Sequence, residues 1–255
     1  MDPIEQGFLQ ALREDPEDHT TRLVYADWLD DRDDPRGVFL RAEIELVALP
    51  AGEERARELQ ARLGRAVMTV ESVWVVAVSL VGHQLFQMWR DLTKNFEPTS
   101  RGGPSKRRTS RCGQWRESVA GLGDLFSTRF PALTREDRFR VPLDYSLFCS
   151  TIGGGGPRDG AVDPELIMFS IEGVYNESRY WLESMKEPQT HPNGLWLSIG
   201  FSSSQGGYHL CCDCLHPAFG SVYESVDGTG PWSEEFELMN LLAPSFLDFL
   251  RTIPP

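Results

Sequence analysis

"GGYHLCCDCLHP", residues 206–217, gathers three of the chain's five cysteines and two of its five histidines. Read as a zinc knuckle, it makes the C-terminal half a metal-stapled unit; read as a strand, it puts a sheet there. Zinc needs about four ligands converging as a tetrahedron, usually from paired C-x-x-C or H-x-x-x-H steps. The spacing here is C-C-x-C-x-H. Successive side chains of a strand face opposite sides, so Cys212 and Cys214 would share one face, and Cys211 and Asp213 the other. The pattern therefore predicts a strand whose cysteines act as small buried hydrophobes, with no metal. C-x-x-C is absent as well, so a dithiol redox role has no footing.

Working outward, "GLWLSIGFS" (194–202) and "ELIMFSIEGV" (165–174) read as further strands, and "SVYESV" (221–226) as another, closed by the turn signal "DGTG". "VPLDYSLFCSTIGGGG" (141–156) offers an extended Val-Pro-Leu lead, a helix turning Tyr145, Phe148 and Cys149 inward, and glycines to end it. "LLAPSFLDFLRTI" (241–253) returns to a helix, with Ser245 and Phe246 near its start. A strand-rich middle bordered by helices is an α+β pattern.

Upstream the period is helical. Ile4, Phe8, Leu9 and Leu12 form one stripe that stops at "EDPED". Thr20 or Thr21 is the expected cap of a second helix carrying Leu23, Ala26 and Leu29. In "DDPRGVFLRAEIELVAL" (33–49), Asp34 is the natural N-cap, with Pro35 at the first helical position. "EERARELQARLGRAV" supplies a fourth helix through Leu59, Leu63 and Val67. "VESVWVVAVSLV" (70–81) fits a strand by its β-branched residues and a buried helix nearly as well. "GHQLFQMWRDLTKNF" is helical again, and the following stretch holds five basic residues and no acid between 101 and 111, as expected of a solvated loop. The chain thus divides into a helical unit (1–66), a connecting segment with a helix and the basic loop (67–117), and an α+β unit (118–255).

Charge and composition narrow the functions. A formal charge of −13 over 255 residues repels phosphate backbones and anionic membrane surfaces, so neither nucleic acid nor membrane is an expected partner. The longest apolar run, nine residues at 73–81, is short of the roughly 20 a spanning helix needs. With no secretory pattern after Met1 and cysteines too sparse for a disulfide framework, the expected location is the cytoplasm. "GFSSSQG" lacks the second glycine of a nucleophile elbow, "TIGGGGPRDG" lacks the lysine of a phosphate loop, and no calcium-loop register fits "DWLDDRDDPRG". No cofactor and no catalytic residue is predicted.

Two stretches carry resemblances. "FLQALREDPEDHTTRLVYADWLDDRDDPRGVFLRAEIEL" (8–46) closely resembles the short bacterial repeat-companion domain, through Tyr25, Ala26, Asp27, Trp28, Leu29, Pro35, Arg36 and Gly37. That family has no established activity. From about 130 to 252, "VPLDYSLFCSTIGGG", "GLWLSIGFSSSQGGYHLCCDC", "GSVYESVDG" and "LAPSFLDFL" resemble the SUKH superfamily of cell-wall-assembly-regulator-like domains. Val141 stands where leucine is usual in that family, and "MFSIEGVYNESRYWLESM" fits loosely. This resemblance implies an α+β domain with a mostly antiparallel sheet flanked by helices, and neither metal nor catalysis. Its bacterial members are read as immunity proteins that neutralise toxin domains, and its eukaryotic members as protein-interaction scaffolds.

The expected function is accordingly a non-catalytic protein-binding module of the immunity type, whose acidity suits a basic toxin domain. A scaffolding or regulatory protein unconnected with toxins is the alternative. A hydrolase using scattered acids with His191, His209 or His216 is the third reading. Candidate partner-binding residues are Asp30, Asp31, Asp33 and Asp34 in the acidic turn, and Trp181 and Trp232 as aromatic anchors.

Overall fold

The computed structural model of the protein describes residues 2–92, 104–131, 137–152, 166–168, 171–184, 194–202, 206–225 and 239–253. Six helices open the chain: α1 (Pro3–Glu14), α2 (His19–Asp30), α3 (Arg36–Ala48), α4 (Glu54–Thr69), α5 (Ser72–Val78) and α6 (Leu80–Leu92). Asp2 and Asp18 cap α1 and α2, accepting from the amides of Ile4 and Thr21. The expected threonine caps of α2 are therefore displaced by Asp18, whose carboxylate also holds the Thr21 hydroxyl at 2.5 Å. Helix α3 begins one residue later than predicted: Pro35 is its N-cap, and Asp34 accepts from the Arg36 amide at 3.0 Å.

The ambiguous stretch 70–81 is helical. Trp74, Val75 and Val78 point into the core, a helical spacing that outweighs the strand preference of valine. The basic stretch is also corrected in part, since α7 runs from Pro104 to Arg129 and takes in residues 104–111.

The C-terminal region opens with α8 (Leu143–Leu147), which runs into a π turn at Phe148–Ile152. Strands β1 (Leu166–Met168), β2 (Trp196–Ser202), β3 (Gly206–Cys211), β4 (Val222–Ser225) and β5 (Met239–Ala243) follow, with α9 (Ile171–Ser184) after β1 and α10 (Phe246–Thr252) at the end. They form a five-stranded antiparallel sheet in sequential order β1-β2-β3-β4-β5. The strand expected over 165–174 is shorter: Ile171 already belongs to α9, whose Val174, Ser178 and Leu182 are buried at a spacing of four. Leu241 to Ala243, expected as helix, belong to β5, and the helix waits for Ser245, whose hydroxyl accepts from the Asp248 amide.

Register sorts the sheet into two faces. Leu197, Leu210 and Val222 lie across from one another on one face, and Tyr208 on that side meets Phe249 of α10 at 5.2 Å. Trp196, Ser198, His209, Cys211 and Tyr223 lie on the other. The aromatic centre beneath α8 joins Tyr145, Phe148 and Phe246, with ring centroids 4.8 to 6.3 Å apart.

Helical and α+β regions share one hydrophobic core, from Leu9 of α1 to Leu250 of α10. Gly64 of α4 lets the chain leading into α8 come so close that a Cβ there would lie 2.1 Å from the Val141 carbonyl oxygen. Gln60, one turn earlier, accepts from the amides of Leu143 (2.8 Å) and Asp144 (3.4 Å), satisfying the start of α8. From the other side, Arg116 of α7 donates to the carbonyls of Val67 and Val70 at 2.9 and 2.6 Å, placing a cation at the C-terminal end of α4.

Candidate functional site

The cysteine-rich stretch resolves into the end of β3 and a turn. Cys211 closes the strand, the Cys212 amide donates to the Leu195 carbonyl at 2.7 Å, and Asp213 pairs with Phe139 in an isolated bridge. Arg138 grips the fully buried Asp213 carboxylate by two bonds, 2.8 and 2.6 Å, and the Leu215 amide adds a third at 3.2 Å. Asp213 thus fastens the segment before α8 to the sheet. Cys149, Cys211 and Cys212 are buried and Cys214 is partly exposed. Burial raises the three buried thiols above their ordinary value, which disfavours the thiolate needed for nucleophilic attack or metal ligation. Among the described residues, no three His, Cys, Asp or Glu side chains are placed to hold a metal ion.

A second polar group crosses three strands. His209 of β3 contacts the Ser198 hydroxyl of β2 through Nδ1 (3.2 Å) and the Ser225 hydroxyl of β4 through Nε2 (3.0 Å). One ring nitrogen of a neutral imidazole donates and the other accepts, so the two serines play opposite parts. All three residues are at most 3% exposed, and burial lowers the imidazole to about 3. The ring is neutral at physiological pH, has hydroxyls on both nitrogens and is closed to solvent. It stitches the sheet and is not poised to attack a substrate. His216 accepts from the Ala218 amide at 3.0 Å and stands edge-on to Trp196 at 5.9 Å, also in a structural setting. His191 lies outside the described residues.

The "LVYADWL…PRG" residues build the joint of α1, α2, α3 and α5. Tyr25 donates to Glu5 and accepts from the Trp74 indole, both at 2.8 Å. Arg36 reaches Glu5 at 2.8 Å and Asp34 at 2.7 Å, with its guanidinium 5.3 Å from the centre of the Trp74 ring. The Arg36 hydrogen bonds hold the Asp34 carboxyl below the usual range. Gly37 is required by close packing, since a Cβ there would sit 2.8 Å from the Ala26 carbonyl. This motif is the internal frame of the helical unit.

That frame decides which acids remain for a partner. Asp30 pairs with Arg41 at 2.7 Å, and Asp27 joins the same guanidinium. Asp34 is held by Arg36. Asp31 and Asp33 stay exposed without an ion pair among the described residues, Asp33 in the left-handed region at φ 55°. Sequence proximity groups four acids, but the structure commits two of them to internal pairs. Trp181 is half-buried, with its indole on Glu177 at 2.9 Å and its ring against the exposed Tyr180. Trp232 lies outside the described residues.

Two concavities have no counterpart in the sequence reading, because each is assembled from distant segments. One, of about 220 Å³, lies between the α3–α4 connection and the start of α10, with Arg57, Gln60, Gln84, Asp144 and Arg251 on its walls. Asp144 is buried and accepts from the amides of Tyr145 (2.8 Å) and Leu247 (3.0 Å), and burial raises its carboxyl to about 6. The other, of about 370 Å³, lies between α1, α5 and α6, with Leu12, Val73, Val76, Ala77 and Phe86 as apolar walls. Val73 and Val76 remain 58% and 39% exposed there, so α5 is apolar on the side that an amphipathic helix turns to water.

None of the described helices is long and apolar enough to cross a membrane. No curated protein and no solved structure matches the chain. Residues 133–252, which hold α8, the antiparallel sheet, the Arg138–Asp213 clasp and the capped α10, match the model of the SMI1 / KNR4 family (SUKH-1).

Proposed function

We propose that the protein is a non-catalytic binding module of the immunity type, which neutralises a toxin domain by covering the toxin's working surface. The observation that carries this reading is the family match over 133–252. The interior placement of the Ser198–His209–Ser225 group and of Cys149, Cys211 and Cys212 supports it, because these chemistry-bearing side chains are used for packing. A net charge of −13 favours a basic toxin domain, since opposite charge speeds encounter. Within this proposal residues 1–66 are the repeat-companion unit, 67–117 the connection and 118–255 the binding domain. Asp31, Asp33 and the Tyr180–Trp181 pair are its most accessible candidate contacts.

The test is a calorimetric titration of the full chain with a catalytically silenced toxin domain encoded beside its gene. A 1:1 complex whose affinity falls as salt is raised is expected. Absence of a complex with every such domain would refute the reading.

A further inference from the structure

The groove between α1, α5 and α6 has an unusual combination of properties. Val73, Val76 and Phe86, exposed by 58%, 39% and 48%, are three of the chain's conspicuous exposed apolar side chains, and all three line this one groove. Contiguous exposed apolar surface marks a place where another molecule docks. The charged lining runs against the rest of the protein. The chain carries 38 acidic and 25 basic residues, yet the groove is lined by Arg13, Arg22 and His83 and by no carboxylate among the described residues.

The three basic groups are not equivalent. Arg22 is almost fully buried, donates to the carbonyls of Pro16 and Val78, and has the buried Glu43 behind it. His83 meets the Gln87 side chain at 2.6 Å. Arg13 is exposed in the last turn of α1 and makes no ion pair among the described residues, so its charge faces whatever enters.

We propose that this groove docks an amphipathic helix of a partner protein, with apolar side chains on Val73, Val76 and Phe86 and a flanking carboxylate on Arg13. This rests on the protein-binding reading above and adds a surface and a chemistry to it. An apolar helix in a groove between helices is a general recognition mode, read out by side chains three and four residues apart. The two charge scales are separate: the net negative field steers a basic protein from a distance, while the cationic lip selects a carboxylate at contact.

The test uses two synthetic peptides of about 16 residues with the same leucine seam at helical spacing, one flanked by glutamates and the other by lysines. Each is titrated into the full chain by fluorescence anisotropy. The overall charge of −13 favours the lysine peptide, so a preference for glutamate can come only from a local cationic site. The glutamate peptide is expected to bind about ten-fold more tightly, with Arg13→Glu reversing the order and Val76→Asp removing binding of both. Leu241→Asp, at an exposed apolar site on β5 away from the groove, is expected to leave binding unchanged. Equal binding of the two peptides, binding of neither, or a preference untouched by Arg13→Glu overturns the proposal. Arg13 is exposed, so that variant keeps the test decisive even if Val76→Asp disturbs folding. Toxin neutralisation by an Arg13→Glu chain, alongside failure of the peptide test, would discard the groove and leave the immunity reading standing.

Discussion

Alanine at position 64 is expected to destabilise the protein by about 3 kcal/mol, although the same change in an open helix is stabilising by up to about 1 kcal/mol. The sign is reversed by the neighbour. A Cβ on Gly64 would meet the Val141 carbonyl oxygen at 2.1 Å and the Leu143 amide nitrogen at 3.3 Å, and both are backbone atoms. Neither can swing aside as a side-chain end can. The strain has to be relieved by moving α4 away from the lead into α8, which also withdraws Gln60 from the amides it caps. Gly7 is the control: it lies on the exposed side of α1, a Cβ there would meet nothing within 4 Å, and Gly7→Ala should stabilise. Urea unfolding of the two variants measures both. A Gly64→Ala protein as stable as the parent would mean that α4 and α8 do not meet as described.

The second large effect is the pH dependence that one imidazole contributes. His209 is held at about 3 by burial, below the ordinary value of about 6.5, so the folded protein keeps it neutral while the unfolded chain protonates it. Its contribution is full above pH 6.5 and is lost as pH falls toward 3, by about 1.4 kcal/mol per pH unit. Asp144 acts in the opposite sense. Its carboxyl, raised to about 6 from 3.8, contributes fully below 3.8 and loses that contribution as pH rises to 6. Between pH 6 and 4 the two slopes largely offset each other in the parent.

His209→Gln removes one of them and retains an amide able to donate to one serine and accept from the other. The variant should be less stable than the parent at pH 7.5. It should regain about 3 kcal/mol relative to the parent by pH 4.5, as the histidine penalty enters the parent alone. Denaturation midpoints at the two pH values check this. Parallel pH curves for parent and variant would show that His209 is not the buried neutral ring described.

Much of the architecture is legible in the residues because period and punctuation agree. Leu9 and Leu12 of α1, or Leu59, Leu63 and Val67 of α4, repeat at helical spacing and are buried. "GLWLSIGFS" and "YHLCC" have the bulk and the turn residues of paired strands, and they pair as β2 and β3. The open reading at 70–81 and the misreading at 165–174 occur where local preference and tertiary context part. Valines at 73, 75, 76 and 78 prefer strands, but α5 gains more by burying Trp74, Val75 and Val78 against the helical unit. The apolar run through Ile171 looks continuous with β1, while the later burial of Val174, Ser178 and Leu182 belongs to a helix.

The candidate site is less legible for the same reason. Asp30 and Asp34 look like free acids until Arg41 and Arg36 are seen beside them. The groove joins residues from Leu12 to Leu147, and its basic lining depends on how α1 lies across α5 and α6. No spacing in the chain encodes that juxtaposition.

Neutralisation itself is read most plainly from the survival of bacteria expressing a toxin domain encoded beside this gene, with and without the full-length protein. Binding and neutralisation predict restored growth with the intact chain, and the toxin recovered in complex with it. Unrestored growth with every neighbouring toxin, at protein levels equal to the toxin's, would contradict the immunity role.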